Sequence, residues 1–284
     1  FTICNPCSII FLTKVEIIDF SNSKLNSIKE GAFYNCTSLN EFNIPESVFY
    51  FGQFSFKNCI KYDAIINIKK CKNVIIGKSA FENSGITSFN SKSENIKVFG
   101  SAFLNCANLN DFSADVTNNC RIGKSAFMNC SSLKSVNLTK DVEKIRIGKS
   151  CFENSSIQTF IVPEELKNIP RSCFKSCKSL KEVLITDKSH LFYFGVEAFY
   201  ESSIEKVFIP GTTKIIRKSC FEKCQNLIEL NFSKAIWYCV LKENAFSMSG
   251  IESLTLPNAI VEIGCGCFEN CKNFPGGLTI SGSI

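Results

Sequence analysis

Cysteine is the residue type in this chain most able to do chemistry. Cys4 and Cys7 form a C-N-P-C pair, and Cys265, Cys267 and Cys271 cluster near the other end. Both spacings suit zinc, but a structural zinc site needs two such pairs close in space. These lie at opposite ends of the sequence. Nucleophilic catalysis by Cys or Ser needs a neighbouring base, usually His. The one histidine, His190, stands in the polar stretch TDKSHLFYF, so any such chemistry must pass through it. A lone loop histidine is more often simply solvated. Asp and Glu are scattered without a paired pattern for acid–base work. The stretch GCGCFEN from Gly264 mimics a phosphate-binding loop but lacks the following Lys. Sequons at Asn35, Asn129, Asn137, Asn154 and Asn231 are compatible with secretion without demonstrating it. The sequence therefore predicts no enzyme, no cofactor, no metal and no catalytic residue.

Composition narrows the class further. The chain has 284 residues, 45% apolar and 20% charged, with a net charge of +6. Lys and Glu are interspersed along the chain and no basic block appears, so nucleic acid is not expected as a partner. No run of ~18 apolar residues occurs, which excludes a membrane-crossing helix. The opening FTICNPCSIIFLTKVEII lacks a basic leader and a small-residue cleavage site, and reads as structure. Seventeen cysteines, an odd number with no compact framework, argue against a disulfide-stapled fold.

The elements that position these residues follow from a repeat. IGKSAFENS at 76, IGKSAFMNC at 122 and IGKSCFENS at 147 are versions of one unit. Its Phe recurs as Phe33, Phe56, Phe81, Phe103, Phe127, Phe152, Phe174, Phe199, Phe221, Phe246 and Phe268, at spacings of 22 to 25. Five residues before this anchor the side chain is always apolar, and one residue before it always Ala, Cys or Ser. Three residues after it stands Cys or Ser. Copies with Ser there (Ser84, Ser155, Ser202, Ser249) reach the next anchor after 22 residues; copies with Cys take 23 to 25. Eleven cysteines occupy these two columns and read as buried packing residues.

A unit of ~23 residues cannot bury its own apolar face, whereas stacked coils share a core. Alternating runs such as LKSVNL predict one strand per coil, and stacked strands a parallel sheet. The extended run EKIRIG predicts a second strand, and KSAFMNC a short helical turn that drops Phe into the core. The fold class is thus an α/β repeat solenoid with a parallel β-sheet on one face and short strands and helical turns on the other. Residues 1–284 form one such solenoid of eleven repeats plus a partial N-terminal coil. Neither end carries a polar cap, which suggests a fragment of a longer chain or caps supplied by a partner.

The pattern apolar-x-x-x-x-F-x-x-C, as in IPRSCFKSCKSLKEVLI from Ile169 and IRKSCFEKCQNLIEL from Ile216, resembles the BspA-like (treponemal-type) leucine-rich repeats. The second copy, FGQFSFKNCIKYDAIINI, and the final FPGGLTI depart from it and are expected to distort their coils. The resemblance implies a right-handed solenoid, a cell-surface or secreted location, and non-enzymatic recognition or adhesion of host or partner macromolecules. A structural rod within a larger, cytoplasmic assembly is the alternative that unpaired cysteines favour.

Within each strand the residue between two inward positions must face outward. That column reads Asn43, Asn90, Ser113, Asn137, Ile161, Leu184, Phe208, Asn231 and Thr255, with the irregular second copy left aside. Ile161, Leu184 and Phe208 are expected to form an apolar stripe ~10 Å long on the concave sheet face, where a protein or glycan ligand would bind. Thr159, Glu182 and Lys206 would rim it. The rival explanation is that β-branched and aromatic residues favour strands for their own sake.

Overall fold

The computed structural model describes residues 14–20, 22–139, 142–271 and, for the backbone, 278–280. It divides into two compact units, Phe1–Ser155 and Ser156–Ile284. Each is a parallel β-solenoid in which every coil adds a strand beside that of the coil before. In the second unit the strands Thr159–Ile161, Glu182–Leu184, Lys206–Ile209 and Glu229–Phe232 form one sheet, hereafter the front. The back sheet runs from Asn168–Ile169 through Tyr193–Phe194, Ile215–Ile216 and Cys239–Leu241 to Ile260–Ile263. In the first unit three coils fuse front and back into long strands, Ile65–Ile76, Ser88–Val98 and Asp111–Ile122, paired in parallel.

The expected helical turns are corrected by the structure: no α-helix occurs among the described residues. The reason lies in the backbone of the anchor segment. All left-handed residues in the described chain, twenty non-glycine residues and two glycines with φ of 53–64°, fall two positions before or two after an anchor Phe. Such residues interrupt a helix. Around Phe127 alternate N–H groups leave the segment: those of Ser125, Phe127 and Asn129 donate to carbonyls of Lys149, Cys151 and Glu153 at 2.8–3.0 Å. The N–H groups of Met128 and Cys130 instead turn back to the carbonyls three residues earlier, those of Ser125 and Phe127, at 3.4 Å. The segment is thus hydrogen-bonded to its neighbour as a sheet would be, while curling like a turn.

This curl explains the abundance of Phe. Anchor rings stack nearly parallel, with centroids 5.1–5.6 Å apart from Phe33 to Phe152 and 4.9–5.4 Å apart from Phe174 to Phe268. That separation follows from the ~4.8 Å strand spacing and lies within the favoured range for ring pairs. In the first unit Phe42, Phe89 and Phe112 meet the stack edge-on. The second coil, expected to be distorted, keeps the stack: Phe56 sits between Phe33 and Phe81, and Tyr62 fills the position usually held by Leu, its hydroxyl donating to the Phe42 carbonyl at 3.0 Å. Residues 272–277, which include most of FPGGLTI, lie outside the described residues.

The Cys and Ser forms of the coil close differently. After a Cys, the N–H of the next apolar residue turns back to the Cys carbonyl, as Leu180 does to Cys177 and Leu227 to Cys224. After a Ser the chain takes a shorter path. The next N–H then reaches the Cys carbonyl of the preceding coil, as Gly85 to Cys59, Ser203 to Cys177 and Gly250 to Cys224. This accounts for the residue by which the Ser form is shorter in this turn. The thiols are spent on the same scaffold: Cys59, Cys106, Cys130 and Cys224 each donate to an anchor Phe carbonyl one coil back at 2.9–3.1 Å. Burial pushes the Cys106 and Cys224 thiols up to about 12, so both stay protonated at neutral pH.

Candidate functional site

The front sheet of the second unit carries the predicted stripe. Thr159, Phe160 and Ile161 pair with Glu182, Val183 and Leu184. Glu182 pairs with Lys206, and Phe208 with Asn231. The middle residue of each strand (Phe160, Val183, Val207, Leu230) is buried, and Phe160 packs on the anchor Phe174 at 5.3 Å. Alternation then turns the flanking residues outward. Ile161 is 42% and Leu184 41% exposed, and Phe208 is half-buried. Ile161 and Leu184 thus pair side by side and exposed, while Phe208, two residues past Lys206, is more sheltered than the sequence suggested.

Its rim is the parallel column Thr159, Glu182, Lys206 and Glu229. The Lys206 ammonium pairs with Glu229 at 3.2 Å, and the other Glu229 oxygen accepts from the Asn231 amide at 2.9 Å. Lys181 pairs with Glu205 at 2.8 Å just outside the sheet. These pairs hold the polar side chains along the margin.

The first unit uses the same positions differently. Its outward column is Asn43, Asn67, Asn90, Ser113 and Asn137, with the Asn90 amide donating to Asn67 at 3.1 Å. Asn67 was missed because the strand of the second coil starts one residue later than its neighbours; the Asn in the alternating run AIINI was the available signal.

The candidate chemistry falls elsewhere. His190 Nδ1 lies 2.9 Å from Glu165 Oε1 on an exposed loop, and bonds no Ser or Cys side chain among the described residues. Glu165 also accepts from Lys167 at 3.0 Å, chiefly for which its carboxyl lies below the usual range. Among the described residues no group of three His, Cys, Asp or Glu side chains is placed to hold a metal ion. Cys4 and Cys7 lie outside the described residues. No helix of the described chain is long and apolar enough to cross a membrane.

Comparison with known proteins gives one sequence family. The model for the BspA type leucine-rich repeat region matches residues 10–119, 96–228 and 145–275, in six copies. A search of curated proteins gave no match. Among solved structures, a leucine-rich cell surface protein from Faecalibacterium prausnitzii is similar at 21% identity and a TM-score of 0.50. That alignment covers 75% of this chain and 65% of that protein, under two thirds of its length. A leucine-rich repeat protein of T. pallidum aligns at 23% identity and a TM-score of 0.40, over 61% of this chain and 68% of that one.

Proposed function

We propose, for a chain that belongs to the BspA-type leucine-rich repeat family, a non-enzymatic recognition module that binds a protein or glycan through the front sheet of its second unit. One observation carries the reading: Ile161, Leu184 and Phe208 occupy equivalent outward positions on three consecutive strands, where the other coils present Asn, Ser or Thr. Exposed apolar patches with polar rims mark interaction sites. Thr159, Glu182 and Lys206 set the margin and its specificity. The similar cell surface protein of Faecalibacterium prausnitzii supports a cell-surface or secreted location for this module.

A structural rod in a larger assembly is the second reading. It is favoured by the buried thiols, such as Cys106 and Cys224, which serve the core without disulfides, as in proteins of reducing compartments. A Leu184→Asp, Phe208→Asp double variant separates the two. Full-length protein and variant are immobilised and offered a mixture of extracellular matrix proteins. The recognition reading expects capture by the parent, at least tenfold weaker capture by the variant, and unchanged circular dichroism. Equal capture by both places recognition elsewhere on the molecule.

A further inference from the structure

The unit RIGKS, written at Arg121 and again at Arg146, sets basic side chains at the same place on successive coils. On the back sheet of the first unit, Lys97 pairs with Arg121 and Arg121 with Arg146. All three are exposed and outward, while Ile96, Cys120 and Ile145 beside them are buried. Three residues further along each chain, beyond the apolar residue and Gly123 or Gly148, stand Lys124 and Lys149, also exposed. Ser125 N–H donates to the Lys149 carbonyl at 2.9 Å, which sets these two lysines on stacked coils. Lys144, also exposed, continues the column of Asn95 and Asn119.

The sequence hid this cluster. Its members lie 24 and 25 residues apart, so read linearly the charges look interspersed. The repeat folds that distance to one strand spacing of ~4.8 Å, giving a cationic row ~10 Å long with a second row beside it. None of Lys97, Arg121, Lys124, Lys144, Arg146 and Lys149 has an ion-pair partner among the described residues, although ion pairs are frequent elsewhere on this chain. Glu94 and Glu143 lie three positions before Lys97 and Arg146, and Asp111 and Asp115 lie toward the front end of the Arg121 strand, where Asp115 pairs with Lys92 at 2.8 Å. Like charges held in register repel one another. A row of them that nothing neutralises points to a partner that does.

We infer that this face binds a linear sulfated polysaccharide. The row is exposed and runs across successive paired strands, which suits an extended polyanion lying across them. Arg guanidinium forks match the oxygens of sulfate or carboxylate, and Lys adds point charge. Bases of a single-stranded nucleic acid would need aromatic platforms; the one exposed ring beside the row, Phe99, lies under the Lys97 ammonium at 5.7 Å. An anionic bilayer would need a broad apolar flank to insert; here Ile75, paired with Lys97, is half-buried, Phe99 lies under the Lys97 ammonium, and the neighbouring outward column is Asn73, Asn95, Asn119 and Lys144. The patch shares no residue with the stripe of the second unit, so either proposal can fail without the other.

Heparin dodecasaccharide is the probe, titrated at about 0.15 M salt so that exposed charges farther apart than ~8 Å are screened. Arg121→Glu with Arg146→Glu is compared with Lys188→Glu plus Lys234→Glu, two exposed lysines of the second unit that change net charge equally. The inference expects the first pair to weaken binding at least tenfold and the second less than twofold. Arg121→Gln with Arg146→Gln, which adds no acid, should weaken it about threefold to tenfold. Equal losses in both charge-reversal pairs would reduce the interaction to net charge and overturn the site. Tighter binding to duplex DNA or to phosphatidylserine vesicles than to heparin would overturn the ligand class.

Discussion

The two units are built on the same kind of interior and differ in what they show to solvent. Two residues past each anchor, the first unit places Asn35, Asn58, Asn83, Asn105, Asn129 and Asn154. Each amide after the first donates to the Asn of the preceding coil at 2.7–3.0 Å, an unbroken ladder of five bonds. At the same place the second unit has Ser176, Glu201, Lys223, Met248 and Asn270. Its turns are instead tied by ion pairs, Lys175 with Glu197 at 2.9 Å and Lys218 with Glu243 at 2.8 Å. On the back sheet Lys97, Arg121 and Arg146 of the first unit have Tyr193, Ile215 and Val240 as counterparts in the second. On the front sheet the first unit shows mostly amides at the positions where the second shows Ile161, Leu184 and Phe208. Meanwhile the anchor ring, the small residue before it and the hydroxyl or thiol after it hold in both. The inward columns are bound by packing to one chemistry, so whatever distinguishes the units must lie in the outward ones.

The largest effects should come where both units agree. Phe127→Ala and Phe174→Ala each remove a ring stacked in the core and should cost ~3–5 kcal/mol in urea melts. Phe192, aromatic but 40% exposed and outside the column, should cost less than ~1 kcal/mol on the same truncation. Equal losses at Phe174 and Phe192 would dissolve the distinction between inward and outward.

Gly148→Ala should come next. A Cβ there would run into the backbone nitrogen of Lys124, so the coils must part, at ~1–3 kcal/mol. Gly100, where the nearest atom would lie at 3.3 Å, should accept Ala with a much smaller loss. Asn105→Ala strips two ladder bonds and leaves a left-handed residue without the side chain that favours it, for ~1–2 kcal/mol. Met248→Asn, at the equivalent left-handed position of the second unit, should be neutral or slightly stabilising.

The thiol column gives the smallest effect at neutral pH. Ser already serves it in four coils, so Cys177→Ser should fold with a loss under ~1.5 kcal/mol. Raising the pH should reveal the column. The unfolded thiols ionise near pH 9, whereas burial holds Cys106 and Cys224 protonated up to about 12. Stability from these groups is therefore full below pH 9 and falls progressively between 9 and 12. Thiol-reactive dye should label both cysteines only on unfolding; rapid labelling in the folded protein would place them outside the core.

Much of this was legible in one sequence because a coil repeated eleven times exposes each column to inspection. The anchor, the inward residues and the stripe at Ile161, Leu184 and Phe208 all followed from phase alone. The turn was misread because KSAFMNC has helix-like apolar spacing, and a Ser such as Ser125 gives little sign of a left-handed backbone. The recurrent Asn two places after the anchor did carry that sign, since Asn tolerates this conformation better than most residues. The basic row escaped because charge was judged along the chain and the structure adds it across coils.

Val183 and Leu184 are chain neighbours that the column assignment places on opposite sides of the front sheet, one buried and one 41% exposed. Urea unfolding of Val183→Asp and Leu184→Asp tests that assignment most directly. An unpaired charge forced into the core should cost Val183→Asp at least ~4 kcal/mol, while Leu184→Asp should stay within ~1 kcal/mol of the parent. Similar losses in the two variants would contradict the division into columns that carry the fold and columns free to carry recognition.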